Sequence, residues 1–168
     1  GYKINNVYVG IAGKHIKSMQ NRAILTRGEN GDVITSEEVE RLRLDMFRMA
    51  TNPGERIIHV IPQEYTVDTE HGIQEPIGMC GNRLEGNFHI ITGQVSAALN
   101  IERSVIKAGL SMTGLILEPL ASAASVLSDE ELEAGVALVD IGGGTTDVVI
   151  YHDMKVRHTA VIPFGGNI

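Results

Sequence analysis

The residues best suited to chemistry fall in one run, Asp140-Ile141-Gly142-Gly143-Gly144-Thr145-Thr146-Asp147. Glycine permits positive φ and lets a ligand approach the backbone closely. Successive N–H groups in such a turn can form an anion-binding nest, and the hydroxyls of Thr145 and Thr146 add donors. Asp140 would repel a bare phosphate, but it suits a phosphate carried with Mg²⁺, directly or through water. Asp147 suits capping or bracing the turn. A Walker loop is excluded, because that motif needs a Lys-Ser/Thr pair and a following helix. Gly10-Ile11-Ala12-Gly13-Lys14-His15 fails the same test: Tyr8 stands where the first glycine belongs and His15 replaces the Ser/Thr. A plain glycine hairpin remains the reading without a ligand, although consecutive glycines weaken a hairpin.

Other chemistries find little support. The six histidines show no metal-ligand spacing, and no Gly-x-Ser-x-Gly elbow marks a serine hydrolase. Cys80 is the single cysteine; it reads as a spectator thiol, and its solitude fits a reducing cytoplasm. The net charge of −7 and the lack of a basic run argue against nucleic-acid binding and against electrostatic docking to an anionic membrane. No apolar run is long enough to span a bilayer, and no signal peptide is visible. A start without methionine and a stop at Asn167-Ile168 lead us to expect a piece of a longer chain.

Elements must position the glycine run. The apolar stretches Val136–Ile141 and Val148–Tyr151 flank it and predict two strands joined by a hairpin. Lys155–Ile162 predicts a third, with a turn at Pro163-Phe164-Gly165-Gly166. Upstream, Leu120–Leu127 reads as a tightly packed helix, Asp129–Glu133 as an acidic surface segment, and Gly114–Leu117 as a short strand. Gln94–Ala108 predicts a helix stopped by Gly109. In the first half, Val7, Val9 and Ile11 alternate as a strand, and Ile16–Thr26 holds another. Thr35 and Glu38 form a capping box for a helix with Val39, Leu42, Met46 and Met49 on one face and a Glu37–Arg41 pair on another. Thr51-Asn52-Pro53-Gly54 is expected to stop it. Arg56–Val67 predicts a strand with an edge or bulge at Pro62, and Phe88–Thr92 a further one. Residues 1–92 thus read as an α+β unit, with a composition shift at Gly93.

The glycine run resembles the second phosphate motif of the actin, sugar kinase and heat-shock ATPase superfamily. Glu118-Pro119-Leu120-Ala121-Ser122-Ala123 resembles that superfamily's first connecting segment, and Pro163-Phe164-Gly165-Gly166-Asn167 the turn after the third strand of its second lobe. The first half is similar to one branch. His59-Val60-Ile61-Pro62-Gln63-Glu64-Tyr65-Thr66-Val67-Asp68, Gly72–Met79, Arg83-Leu84-Glu85 and His89–Gly93 resemble the FtsA family of bacterial cell division proteins.

That resemblance implies an α/β fold: a partial actin-like ATPase (ribonuclease H-like) core carrying an inserted α+β subdomain. Residues 1–92 would be the insert, 93–119 the end of the first lobe and 120–168 the start of the second. It implies ATP and Mg²⁺ as cofactors. Phosphate contacts would come from Gly142, Gly143, Gly144, Thr145, Thr146, Gly165 and Gly166, and the metal side from Asp140 and Glu118. No residue is assigned a catalytic role, and any ATPase activity of the full-length protein is expected to be weak. The implied function is a scaffold on the cytoplasmic face of the cell membrane at the division site. It would tether the FtsZ ring through a part outside these residues, hold the membrane through a C-terminal helix also outside them, and contact later division proteins and neighbouring FtsA subunits through 1–92. A pilus-system assembly ATPase, or a sugar kinase or heat-shock-type ATPase, is the alternative.

Overall fold

The structure, a computed structural model, describes residues 3–28 and 32–167. The chain separates into two compact units, Gly1–Ser18 with Thr51–Ile58 and Ile91–Ile168, and Met19–Ala50 with His59–Ile90.

In the first unit, β1 (Asn6–Ile11) pairs in parallel with β6 (Ser111–Leu117), Ile11 opposite Leu117. Helix α2 (Val95–Lys107) precedes β6. Gly109 ends it with φ +77°, its N–H reaching Ile106 O at 2.9 Å while the Leu110 N–H reaches Val105 O at 3.2 Å. Strand β6 runs without a loop into α3 (Glu118–Val126). Pro119 sits in the first turn of α3, where its missing N–H costs nothing. Then follow α4 (Asp129–Ala134) and the antiparallel strands β7 (Val136–Ile141), β8 (Thr146–His152) and β9 (Lys155–Ile162), in the order β7-β8-β9. Helix α3 packs on β7 and β8. The β8–β9 turn is Asp153-Met154, both with positive φ (52° and 61°), the two-residue geometry that matches strand twist. Its N–H groups donate to Glu133 O and Leu132 O at the end of α4. The core here is Ile11, Leu117, Ala123, Val149 and Val156.

The second unit holds α1 (Ser36–Phe47) and most of a four-stranded sheet ordered β2-β5-β3-β4. Its strands are β2 (Lys17–Thr26), β3 (Glu55–Val67), β4 (Glu70–Ile73) and β5 (Arg83–Gln94). Ile34, Leu42, Val60, Leu84, Phe88 and Ile90 are buried, and Tyr65 meets Phe88 edge-on at 6.2 Å. The capping box forms as expected: Thr35 Oγ1 accepts from Glu38 N at 3.3 Å and Thr35 N donates to Glu38 Oε2 at 2.9 Å. The other carboxylate oxygen of Glu38 accepts from Arg27 Nε at 2.7 Å. The Arg27 guanidinium also donates to Gly81 O at 2.6 Å, to Val33 O at 2.9 Å and to Asp32 O. One side chain, 8% exposed, thus joins the end of β2, two loops and the start of α1. The Arg27 hydrogen bond first, and the Thr35 N–H second, hold the Glu38 carboxyl below the usual carboxylate range.

Several details differ from expectation. Helix α1 stops at Phe47, short of Met49, because Arg48 and Met49 N–H reach back only three residues, to Asp45 O and Met46 O, which tightens the last turn. Among the described residues Glu37 and Arg41 form no ion pair; Glu40–Arg43 and Asp45–Arg48, both i,i+3, do. Asp129–Glu133 lies in a helix, started by a second capping box from Ser128 and Glu131. Strand β3 continues through Pro62, and β4 pairs only with its end, at Tyr65 and Val67. One flank of β3 is therefore an edge at the proline, as proline requires.

Replacing Arg27 by Met leaves Glu38 and the carbonyls of Val33 and Gly81 without their donor. The expected loss is about 2–3 kcal/mol of unfolding free energy, read by urea titration. Because the folded Glu38 pKa lies below the unfolded value of about 4.3, its contribution is present above that pH. It is lost as pH falls through the folded value. Arg27→Met should therefore flatten the acid limb of stability against pH; an unchanged limb would contradict the coupling.

Candidate functional site

The glycine run is the four-residue connection between β7 and β8. The strands are in register to its base, with Asp140 opposite Asp147 and Ile141 opposite Thr146. Gly142 N donates to Thr145 O at 2.9 Å and closes the turn. The second glycine turn, after β9, locks onto it through the backbone: Gly166 N to Gly142 O at 2.8 Å and Asn167 N to Gly143 O at 3.0 Å. Thr146 Oγ1 adds a bond to Phe164 O at 2.8 Å.

This interlock explains the glycines. A methyl group on Gly165 would lie 2.5 Å from Gly142 O and 2.6 Å from Gly144 N, closer than Cβ atoms come to backbone. At Gly143 a methyl group would meet Asn167 Nδ2 at 3.0 Å, and at Gly142 it would meet Thr145 O at 3.2 Å. At Gly144 it would meet nothing within 4 Å. None of Gly142, Gly143, Gly144, Gly165 and Gly166 has positive φ. Of the two reasons for glycine that the sequence offered, positive φ finds no use here, and close backbone approach accounts for Gly165 and, less tightly, for Gly142 and Gly143. Among the described residues the N–H groups of Gly143 and Gly144 meet no protein acceptor, and both glycines are exposed.

The acidic groups lie below the turn. Asp140, half-buried, accepts Ser122 Oγ from α3 at 3.2 Å. Asp147 is buried, and its Oδ2 accepts Thr145 Oγ1 at 3.3 Å. Burial pushes the Asp147 carboxyl up; the Thr145 hydrogen bond opposes this, and the Asp140 charge adds to it. Glu118 is exposed at the start of α3 and folds over Gly10, where a Cβ would lie 2.7 Å from its Cγ. It shares no hydrogen bond or ion pair with the glycine turn among the described residues. Nor does any group of three or more His, Cys, Asp or Glu there converge on a metal position. That donor set suits Mg²⁺ only in its usual nucleotide form, held by one or two carboxylates, water and the ligand's phosphates.

The structure thus brings together Asp140, Gly142–Thr146, Gly165 and Gly166, and leaves Glu118 apart from them in its contacts. Sequence reading missed Ser122 and Asn167. Both stand inside the two segments that carry the superfamily resemblance, but no role was read for either.

Comparisons with known proteins bear on the whole chain. The family model described as the SHS2 domain inserted in FtsA matches residues 13–92, and that of the cell division protein FtsA matches residues 137–168. The FtsA of Pseudomonas aeruginosa is 44% identical over 168 residues, and that of Escherichia coli K12 is 39% identical over 166. The chain belongs to the FtsA family. Each alignment covers 99% of this chain, which spans only 40% and 39% of those two FtsA proteins. The fold has a solved counterpart in a PilM-PilN type IV pilus biogenesis complex, with TM-score 0.60 and 16% identity, covering 96% of this chain and 44% of that one. A mixed α/β architecture with the FtsA-type insert on a partial actin-like core follows. No helix among the described residues is long and apolar enough to cross a membrane.

The interlock predicts opposite outcomes for two neighbouring glycines. Gly165→Ala should destabilise by about 1–3 kcal/mol through overpacking. Gly144→Ala, in open space, should stay within about 0.5 kcal/mol. Denaturant unfolding of both variants checks this, and equal effects would contradict the geometry.

Proposed function

We propose that the interlocked turns form one wall of an ATP–phosphate site in an actin-like scaffold of bacterial cell division. One observation carries this: the clasp leaves the Gly143 and Gly144 N–H groups free and exposed above a half-buried carboxylate, Asp140, that Ser122 orients. Free amides favour anionic oxygens, and the carboxylate favours the Mg²⁺ that accompanies them. Thr145 and Thr146 shape the turn, Gly165 and Gly166 hold it, and Glu118 would reach the metal only through water. ATP supplies its own phosphates and bridging Mg²⁺; the chain binds and orients them. No side chain in the turn is proposed as a nucleophile or base, and at most weak ATP turnover is expected of the full-length protein.

In this reading the FtsA-type insert lies within residues 1–92, residues 93–119 close the first lobe and 120–168 open the second. The insert meets later division proteins and neighbouring subunits. FtsZ and the inner face of the membrane are engaged by parts of the protein outside these residues. The match to FtsA proteins at 39–44% identity favours division over a pilus role, because the pilus counterpart shares the fold at 16% identity.

In the full-length gene product, Asp140→Ala and Gly143→Val should each weaken Mg-ATP binding by about tenfold or more, roughly 1.4 kcal/mol, by calorimetry. This chain alone offers a few amide and hydroxyl donors, each worth about 0.5–1.5 kcal/mol net, against at least about 4 kcal/mol of lost freedom. Its own dissociation constant should be no tighter than roughly millimolar. Wild-type affinity in both folded full-length variants would rule out the phosphate role.

A further inference from the structure

Behind the turn sits a buried carboxylate that its visible hydrogen bonds do not satisfy. Asp147 is the second residue of β8, 5% exposed, with Asp140 opposite it on β7 and Val161 on β9. Its Oδ2 accepts the Thr145 hydroxyl at 3.3 Å. Its Oδ1 is sealed from solvent and has no hydrogen-bond partner among the described residues. Leaving such an atom unsatisfied is costly, so buried carboxylate oxygens are held by a donor.

The same carboxylate borders a small, largely closed cavity bounded also by Ile16, Lys17, Leu117, Pro119 and Thr159. The space open to the centre of a water-sized sphere is about 10 Å³, close to the least that holds one water molecule. Ile16, Leu117 and Pro119 make much of its wall apolar, and Asp147 and Thr159 are polar residues of its lining. A water here would have Oδ1 as acceptor and further polar neighbours, which is what an ordered internal water needs.

We propose that Asp147 is a positioning residue of the phosphate turn. One ordered water in this cavity donates to Oδ1, and Oδ2 holds the Thr145 hydroxyl. That fixes the residue whose carbonyl closes the turn onto the Gly142 N–H at 2.9 Å, and with it the amides of Gly143 and Gly144. The proposal rests on the phosphate-site reading and adds what keeps that site in shape.

Amide hydrogen exchange at Gly142 reads this directly on the chain itself, with no nucleotide. Asp147→Leu keeps the volume but removes both hydrogen bonds, and Gly142 exchange should rise about tenfold or more while Val149, in the core of β8, keeps its protection. Asp147→Asn retains an acceptor for Thr145 and a partner for the water, and should stay near wild type. If Asp147→Leu does not fold, Thr145→Val removes the same bond from the donor side and should give the same rise. Unchanged Gly142 exchange in the folded variant overturns the bracing role. A high-resolution crystal structure without a water at Oδ1 overturns the water. In the full-length protein the Leu variant should bind Mg-ATP about tenfold more weakly, with Asn restoring affinity. Faster Gly142 exchange with unchanged affinity overturns the phosphate reading while the brace stands.

Discussion

Two stretches of backbone lie against each other at Gly142–Gly144 and Gly165–Asn167, and the candidate site depends on that contact. A side chain at residue 165 would occupy the space of the Gly142 carbonyl. Where that space stays empty, the hydrogen bonds from Gly166 and Asn167 consume the carbonyls of Gly142 and Gly143, while the amides of Gly143 and Gly144 meet no acceptor among the described residues. The polarity of the turn follows from this asymmetry: two of its carbonyls accept from the neighbouring turn, Gly142 N donates to Thr145 O, and the Gly143 and Gly144 amides meet no acceptor among the described residues. The anion site proposed here would need no lysine, which suits a chain of net charge −7.

The second unit rests on a different device. Its capped helix and its sheet are joined by a single guanidinium shielded from solvent, with most of its donors used on carbonyls and on Glu38. Such a group fixes geometry more than it adds stability, because its desolvation offsets much of the gain. The contact role proposed for the insert would benefit from that rigidity, since preorganised surfaces lose less entropy on binding.

Much of this was legible in the sequence because it is local. The three strands around the glycines, the Thr35–Glu38 box and the Gly109 stop are each written in a few adjacent residues. The pairing of β1 with β6 was not, since alternation in Val7, Val9 and Ile11 marks a strand without naming a partner a hundred residues away. Helix α4 was hidden because it is short, acidic except for Leu132 and Ala134, and has no buried residue, so no apolar periodicity marked it; only its Ser128–Glu131 box did. The site divides the same way. Glycine content pointed to the turn and left positive φ and close approach both open, of which the structure uses close approach, backbone against backbone at Gly165. The part played by Ser122, and the burial of Asp147, arise only when α3 and the cavity behind β8 come together.

The central claim is that the free amides of the clasped turn face phosphate. A ¹⁵N-resolved NMR titration of this chain with Mg-ATP, carried into the millimolar range, tests it most directly. The account predicts that the largest amide shifts fall on Gly143 and Gly144, with smaller ones at Thr145 and Asp140 and little change in α1. Shifts that bypass Gly143 and Gly144, or spread evenly over the chain, would contradict it.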